Sequence, residues 1–156
     1  MELKWRLAHV RGYLGLGMIE DASAELDQVP PDLARATEVL ALRVLVLQEQ
    51  AKWPTLVSVA SELVLRQPME PGWWIAWAYA VRRSQTLDAA EAILLEGERK
   101  HPREATIQFN LGCYACLRGD LTEARRRVDQ AISLDPSFRD VAMSDPDLAP
   151  LRASEL

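Results

Sequence analysis

The sequence predicts an all-α protein made of stacked helical hairpins, and three observations support this prediction. Proline recurs at Pro68, Pro102 and Pro136, which lie 34 residues apart. Small or apolar residues recur at the same interval along the chain. Within each interval the apolar residues are spaced three and four apart, as on one face of an α-helix, and no segment alternates in the manner of a strand. A fixed period of this length is typical of repeat proteins.

Four columns of small or apolar residues keep the 34-residue register through four cycles. They are Ile19, Trp53, Leu87 and Leu121; Ala22, Leu56, Ala90 and Ala124; Leu26, Ala60, Leu94 and Val128; and Val29, Leu63, Gly97 and Ala131. One hairpin cannot bury its apolar face alone, so neighbouring hairpins must stack. We therefore expect these columns to form the core.

Each cycle contains two helical segments, as its last copy illustrates. Apolar residues recur at helical spacing from Phe109 to Cys116, and then Gly119 and Asp120 interrupt the pattern. A second stripe follows over residues 121–132 and is closed by Pro136. The cycle therefore predicts a helix, a short turn and a second helix.

Three local signals indicate where helices begin. Asp120 with Glu123 three residues later is a helix start signal, and Trp53-Pro54 marks the matching start in the second cycle because proline is tolerated in a first turn. Pro30-Pro31-Asp32 replaces the closing proline of the first cycle. We expect the next helix to begin near Asp32 and to be longer than the others.

The repeat resembles a known family. The run Leu111-Gly112-x-x-Ala115-x-x-x-Gly119-x-x-x-x-Ala124-x-x-x-Val128-x-x-Ala131-x-x-x-x-Pro136 is similar to a tetratricopeptide repeat. The third cycle matches through Trp74, Trp77, Ala78, Ala90, Leu94 and Pro102, and the first through Tyr13, Gly17, Ala22, Leu26 and Val29. The resemblance covers residues 3–138 and implies a right-handed α-α superhelical solenoid of about four hairpins.

These patterns divide the chain into one domain, residues 1–156, with repeats at about 3–36, 37–70, 71–104 and 105–138. The register breaks after Pro136. Because the last hairpin of a solenoid exposes an apolar edge, we expect residues 139–156 to form a capping helix over it.

Composition limits the partner and the compartment. A net charge of −5 argues against nucleic acid as the main partner. The charged N-terminal segment is unlike a secretory signal, and no apolar stretch approaches the 18 or so residues that span a bilayer. Two cysteines suit a reducing compartment. We expect a cytoplasmic protein that binds neither nucleic acid nor membrane.

The cysteine pair Cys113-x-x-Cys116 is the main candidate for chemistry. A redox pair needs a thiol of low pKa, and a zinc site needs further ligands, which His9 and His101 do not supply at a suitable spacing. The simpler interpretation is two small apolar residues on a helix. We expect no enzyme activity, no cofactor and no metal, with thiol redox as a distant alternative.

Two further clusters favour structural roles. Trp74 and Trp77 fall on core columns of the repeat, whereas the place of Trp73 is less clear. Arg125, Arg126 and Arg127 lie on a second helix, which the resemblance places on the convex side. We expect this run of arginines to be a solvated face.

The resemblance also implies a concave groove lined by the first helix of each repeat. The implied positions are Leu7, Arg11, Ala41, Leu45, Gln48, Ile75, Tyr79, Arg82, Arg83, Phe109, Asn110 and Cys113. Such a lining suits an amphipathic or extended protein segment with an acidic residue or two. We expect the binding energy to concentrate at Tyr79, Arg82 and Phe109, because aromatic and arginine side chains dominate interfaces.

The leading hypothesis is thus a scaffold or adaptor that binds a protein or peptide in this groove. Self-assembly into a homo-oligomer is the alternative, and a groove that is only the inner wall of a rigid spacer remains open. Some relatives clamp a C-terminal carboxylate with lysine and asparagine. The matching positions here are Leu7, Arg11, Leu42, Gly72 and Ala76. Only Arg11 could serve, so that ligand is not expected.

Overall fold

The computed structural model describes residues 1–155, which form ten α-helices and one 3₁₀ turn with no strand. The bounds are α1 Leu3–Gly15, α2 Ile19–Asp27, α3 Thr37–Glu49, α4 Trp53–Arg66, α5 Pro71–Ser84, α6 Leu87–Lys100, α7 Ala105–Leu117, α8 Leu121–Leu134, α9 Phe138–Ser144, the 3₁₀ turn Pro146–Leu148 and α10 Ala149–Ala153. Consecutive helices pack in pairs, and each pair packs on the next. The all-α solenoid prediction is confirmed. Within residues 1–155, no helix combines the length and apolar character needed to cross a membrane.

The turns inside the four pairs occupy one column of the repeat. Gly17 and Gly119 adopt left-handed backbone conformations, with φ of +71° and +83°. Ala51 stands at the same place in the second pair and has a φ of +54°, although its Cβ makes this conformation costly. Gln85, the fourth member, has a φ of −134° because the link from α5 to α6 is one residue shorter.

Helix starts follow two of the three predicted signals. The Asp120 carboxylate accepts a hydrogen bond from the backbone N–H of Glu123 at 3.1 Å, so it caps α8. Trp53 begins α4, with Pro54 in the first turn. Thr86 caps α6 in the same manner, because its hydroxyl accepts from the N–H of Ala89 at 3.1 Å.

The predicted start of the third helix was wrong. Helix α3 begins at Thr37 rather than near Asp32, and its 13 residues make it no longer than α1. Residues 31–35 form turns instead, with i to i+3 bonds such as that from the Leu33 N–H to the Pro30 carbonyl at 2.9 Å. Pro31 is the second residue of this turn, where the fixed φ of proline favours a turn.

The core is built from the predicted columns. The three columns that begin at Ala22, Leu26 and Val29 are buried in all four cycles, and the column of Ile19 is partly buried. Small residues allow the close approach of paired helices. A Cβ at Gly112 of α7 would lie 3.0 Å from Cγ2 of Val128 on α8. The contact between the two helices therefore has no room for a larger residue at position 112.

The C-terminal segment closes the last pair, as expected for a cap. Leu148 and Leu151 are 1% and 5% exposed, and they join the same apolar cluster as Val128. Phe138 of α9 stacks on Phe109 of α7, with ring centroids 4.9 Å apart. Leu156, the last residue of the predicted cap, lies outside the described residues.

The fully buried Ala124 provides a test of the helix packing. Ala124→Phe should lower the free energy of unfolding by about 1–3 kcal/mol, because the contact between α7 and α8 has no room for a ring. Chemical denaturation measures the change. Ala92→Phe is the matched control, since Ala92 lies on α6 but is exposed. Equal effects of the two substitutions would contradict the packing described here.

The left-handed Ala51 provides a test of the turns. Ala51→Gly should raise the free energy of unfolding by about 0.5–1 kcal/mol, because glycine adopts a positive φ without the steric cost that alanine bears. Gln85→Gly is the control from the same column, and it should give no gain because φ is negative there. Thermal and urea unfolding of both variants would reveal the difference. A gain at position 85 but not at position 51 would contradict the backbone described.

Candidate functional site

Nine of the twelve predicted groove residues line three clefts, whereas Ala41, Ile75 and Phe109 line none of these. A cleft of about 420 Å³ between α1 and α3 includes Leu7 and Arg11, and another of about 420 Å³ includes Leu45 and Gln48. The third, of about 110 Å³, is lined by Tyr79, Arg82, Arg83, Asn110, Cys113, Tyr114, Asp145 and Asp147. We call this third cleft the charged pocket. It unites more of the predicted residues than either other cleft.

Arg83, one of the two arginines of the charged pocket, stacks on aromatic rings. The guanidinium carbon of Arg83 lies 3.2 Å from the ring centroid of Tyr79 and 5.5 Å from that of Trp53. Trp53 and Tyr79 meet edge to face, with centroids 5.5 Å apart. Stacking of this kind fixes the plane of a guanidinium while its edge remains available for hydrogen bonds. Arg83 is therefore oriented before any ligand arrives.

The acidic residues of the charged pocket come from the C-terminal segment, whereas its arginines come from α5. Asp145 follows the last residue of α9, and its carboxylate accepts a hydrogen bond from the backbone N–H of Asp147 at 2.9 Å. Arg152 donates to the backbone carbonyl of Asp145 at 2.7 Å. These bonds fix the turn, and both aspartates line the charged pocket beside Asn110. Sequence reasoning missed them because they lie outside the repeat register.

Three predicted groove residues are buried, so little of their surface is accessible to a ligand. Leu7 is 4% exposed and belongs to the apolar cluster between the first three helices. Phe109 is 3% exposed because Phe138 covers its ring. Cys113 is 4% exposed and forms the floor of the charged pocket. The remaining members, including the half-buried Ala41 and Ile75, keep part of their surface accessible.

The two thiols are placed poorly for redox chemistry. Cys113 and Cys116 are both free and buried. Burial raises the pKa of Cys113 well above its usual range, and the negative charges of Asp145 and Asp147 raise it further. A nucleophilic cysteine needs the opposite surroundings, since the thiolate is the reactive form.

Cys113 and the two aspartates also form the one potential metal-ligand group among residues 1–155. Donor atoms of Cys113, Asp145 and Asp147 lie within 4.8 Å of one another. A cysteine binds a metal ion as the thiolate, not as the thiol. The raised pKa of Cys113 keeps the thiol protonated. The arrangement does not favour a metal centre.

The expectation that all three consecutive arginines are solvated was wrong for Arg127. Its side chain is 11% exposed and pairs with Glu98 of α6 and Glu123 of α8. It also donates to the side-chain carbonyl of the buried Gln108 at 2.8 Å, and Gln108 donates to Glu98 at 2.6 Å. This network joins α6, α7 and α8. A buried glutamine with both ends satisfied is a structural feature.

The other two arginines pair at the surface. Arg126 donates to Glu123, and this bond is the largest cause that lowers the pKa of Glu123 to about 2. Arg125 pairs with Glu155 near the C-terminal end. Arg126 is 56% exposed, so it fits the predicted solvated face.

The groove arginines differ from these in lacking ion-pair partners. Within residues 1–155, no carboxylate lies within salt-bridge distance of Arg11, Arg82 or Arg83, whereas nine other arginines form such pairs. Their positive field reaches Tyr114, whose pKa is raised to about 12 by burial and held down by the two neighbouring arginines. Arg82 and Arg83 thus bring two unpaired positive charges to one pocket, whereas the other arginines unpaired within residues 1–155, Arg11, Arg103, Arg139 and Arg152, lie outside it.

Solved structures share this architecture. MamA from Desulfovibrio magneticus RS-1 is similar with a TM-score of 0.74 at 15% identity, over 97% of this chain and 88% of that one. TTC0263, a thermophilic TPR protein of Thermus thermophilus, has a TM-score of 0.72 at 20% identity, over 96% and 86%. YrrB, a TPR protein with an unusual peptide-binding site, has a TM-score of 0.69 at 15% identity, over 94% and 71%.

This chain has the tetratricopeptide-repeat fold. No protein-family model matches its sequence, and no curated protein does. The likeness therefore rests on helix arrangement, and the ligand must be argued from this chain's own residues.

Within the tetratricopeptide-repeat fold, the carboxylate-clamp positions are mostly closed. Leu7, Leu42 and Ala76 are 4%, 6% and 7% exposed, whereas Arg11 is accessible. Apolar buried side chains offer no hydrogen-bond donor to a carboxylate. That this ligand class is not recognised stays a prediction.

The thiols provide a test of the site's chemistry. Cys113 and Cys116 should react with a disulfide reagent such as dithionitrobenzoate far more slowly in the native protein than after denaturation, because both are buried and the pKa of Cys113 is raised. Absorbance measurements under mildly alkaline conditions give both rates. Two thiols should be counted after unfolding. Immediate stoichiometric labelling of the native chain would revive the redox alternative.

Proposed function

We propose that this chain is a protein-interaction module that binds an extended protein or peptide segment along its first helices, centred on the charged pocket. One observation carries the proposal: Arg82 and Arg83 lack ion-pair partners within residues 1–155, beside the partly exposed ring of Tyr79. Aromatic and arginine side chains supply most of the energy at protein interfaces. Elsewhere on this surface most arginines are already paired.

Pre-organisation strengthens the proposal. Stacking on Tyr79 and Trp53 restricts Arg83 before binding, so less side-chain entropy is lost when a ligand is bound. A planar guanidinium can also bind a carboxylate through two parallel hydrogen bonds. Burial of Phe109 moves the centre of the site to Tyr79, Arg82 and Asn110.

The neighbours add limited support. YrrB is described as having an unusual peptide-binding site, and a similar use of the fold here is part of the proposal. The fold by itself is compatible with many ligands. A cytoplasmic location stays a prediction, as does the absence of catalysis.

Self-assembly is the second candidate, favoured by the outer face of α1. Trp5 and Leu16 are 56% and 75% exposed, and Ala8, His9 and Gly12 lie between them on one stripe. These side chains are exposed among residues 1–155, so the stripe is available to another chain. Burial of apolar surface favours association, and a second copy is the simplest partner.

A paired substitution tests the groove. Tyr79→Ala combined with Arg82→Ala should weaken a peptide selected from a phage-displayed library against the wild-type chain at least tenfold, about 1.4 kcal/mol. Fluorescence polarisation with the labelled peptide measures the dissociation constant. The melting temperature must be recorded as well, because Tyr79 also packs against Trp53. Tyr79→Phe with Arg82→Ala preserves that packing and should still weaken binding.

The control is Arg126→Ala on the opposite helix of a pair, which should leave the affinity unchanged. Greater damage by Arg126→Ala would place the site on the outer face instead. If neither variant matters, and if light scattering gives a dimer that Trp5→Glu dissociates, self-assembly is the better account.

A further inference from the structure

The charged pocket has opposite charges on its two walls, and we infer that the partner segment carries both a basic and an acidic residue. The basic residue would lie beside Asp145 and Asp147, and the acidic residue beside Arg82 and Arg83. This inference rests on the proposed function and specifies its partner.

The two arginines and the two aspartates line one cavity, but they do not form salt bridges with one another. No salt bridge among the described residues joins Arg82 or Arg83 to Asp145 or Asp147, although all four line the same space of about 110 Å³. Arg83 is held on the Tyr79 ring, and its guanidinium also donates to that residue's carbonyl at 3.4 Å. On the other wall, the Asp145 carboxylate is held by its own turn. Local contacts therefore restrain a charge on each wall.

The size of the cavity indicates which part of a ligand enters it. At about 110 Å³ the cavity is much smaller than the two clefts of about 420 Å³. A small cavity with charged walls suits the charged ends of side chains. The main chain of the ligand would run above the pocket, along the first helices.

Electrostatic repulsion disfavours segments whose charged residues are all acidic or all basic. A purely acidic segment that reaches the arginines also meets Asp145 and Asp147, and a purely basic segment meets the arginines. Like charges placed together across an interface repel strongly, and a desolvated charge without a partner is also costly. A segment with one charge of each sign satisfies both walls. This is selection by repulsion as well as by attraction.

The same arrangement fixes the direction of the ligand. The arginines lie on α5, whereas the aspartates follow α9, beyond α7. A segment bound in reverse would place each of its charges against a wall of the same sign. The chain would therefore select a segment by the order of its acidic and basic residues, and not only by their presence.

Selection of peptides against the intact chain tests the inference. Short phage-displayed peptides of random sequence should be enriched for an acidic and a basic residue a few positions apart, in one order. Selection against Asp147→Asn should lose the preference for the basic residue and keep that for the acidic one. Selection against Arg82→Ala with Arg83→Ala should show the reverse. Asp147 is the better aspartate to change, because the side chain of Asp145 is needed to hold the turn.

A double-mutant cycle on one synthetic peptide makes the result quantitative. Replacing its basic residue by a neutral one should weaken binding to the wild type at least fivefold, with little further loss on Asp147→Asn. Asp129→Asn is the matched control, since Asp129 is an exposed aspartate on α8 outside the pocket. Melting temperatures of all variants should agree within a few degrees.

The outcomes separate this inference from the proposed function. Selected peptides of a single charge sign, or additive effects in the cycle, would overturn the inference while groove binding stands. Failure to select any peptide that depends on Tyr79 or Arg82 would overturn both.

Discussion

The close approach of the two helices in each pair is the constraint on which the rest of the structure depends. In three of the pairs an alanine makes this contact, and a larger residue follows four positions later, as Ala90 is followed by Leu94. The second pair reverses the order, with Leu56 followed by Ala60, and both remain fully buried. A core tolerates changes that conserve its total volume. The second pair can therefore exchange the large and the small residue and still keep the distance between its two helices.

That spacing determines what the first helices can present. Each first helix buries one side against its partner, so side chains on the other side are available to the groove. The end of the stack changes this, because Phe138 covers Phe109 and the following turn brings Asp145 and Asp147 over Cys113. The cap that removes an apolar edge from water therefore also replaces an apolar groove position with charged ones. Stability of the last pair and polarity of the groove have the same structural cause.

The sequence predicted the parts of the fold that repeat, because every cycle must bury equivalent positions. It failed where a contact occurs once. The two prolines before Asp32 indicated a change of direction but not the turns that delay α3 until Thr37. Arg127 looked like its neighbours along the chain, and only the stacking of three helices brings it to Gln108. The place of Asp145 and Asp147 in the charged pocket could not be predicted for the same reason, since no period relates the cap to the repeats.

Electrostatics links the groove to the rest of the surface. The chain carries a net charge of −5, yet most of its exposed arginines are paired with carboxylates on their own or adjacent helices. Such pairs contribute little to stability individually. The opposite charges of each pair largely cancel each other's field at distances greater than their separation, and physiological salt screens the remainder over about 8 Å. Arg82 and Arg83 form no such pair among the described residues, although Asp145 and Asp147 line the same pocket. A partner segment therefore meets charges of both signs side by side at the charged pocket, and this is why we expect the pocket to distinguish the order of charges in the partner.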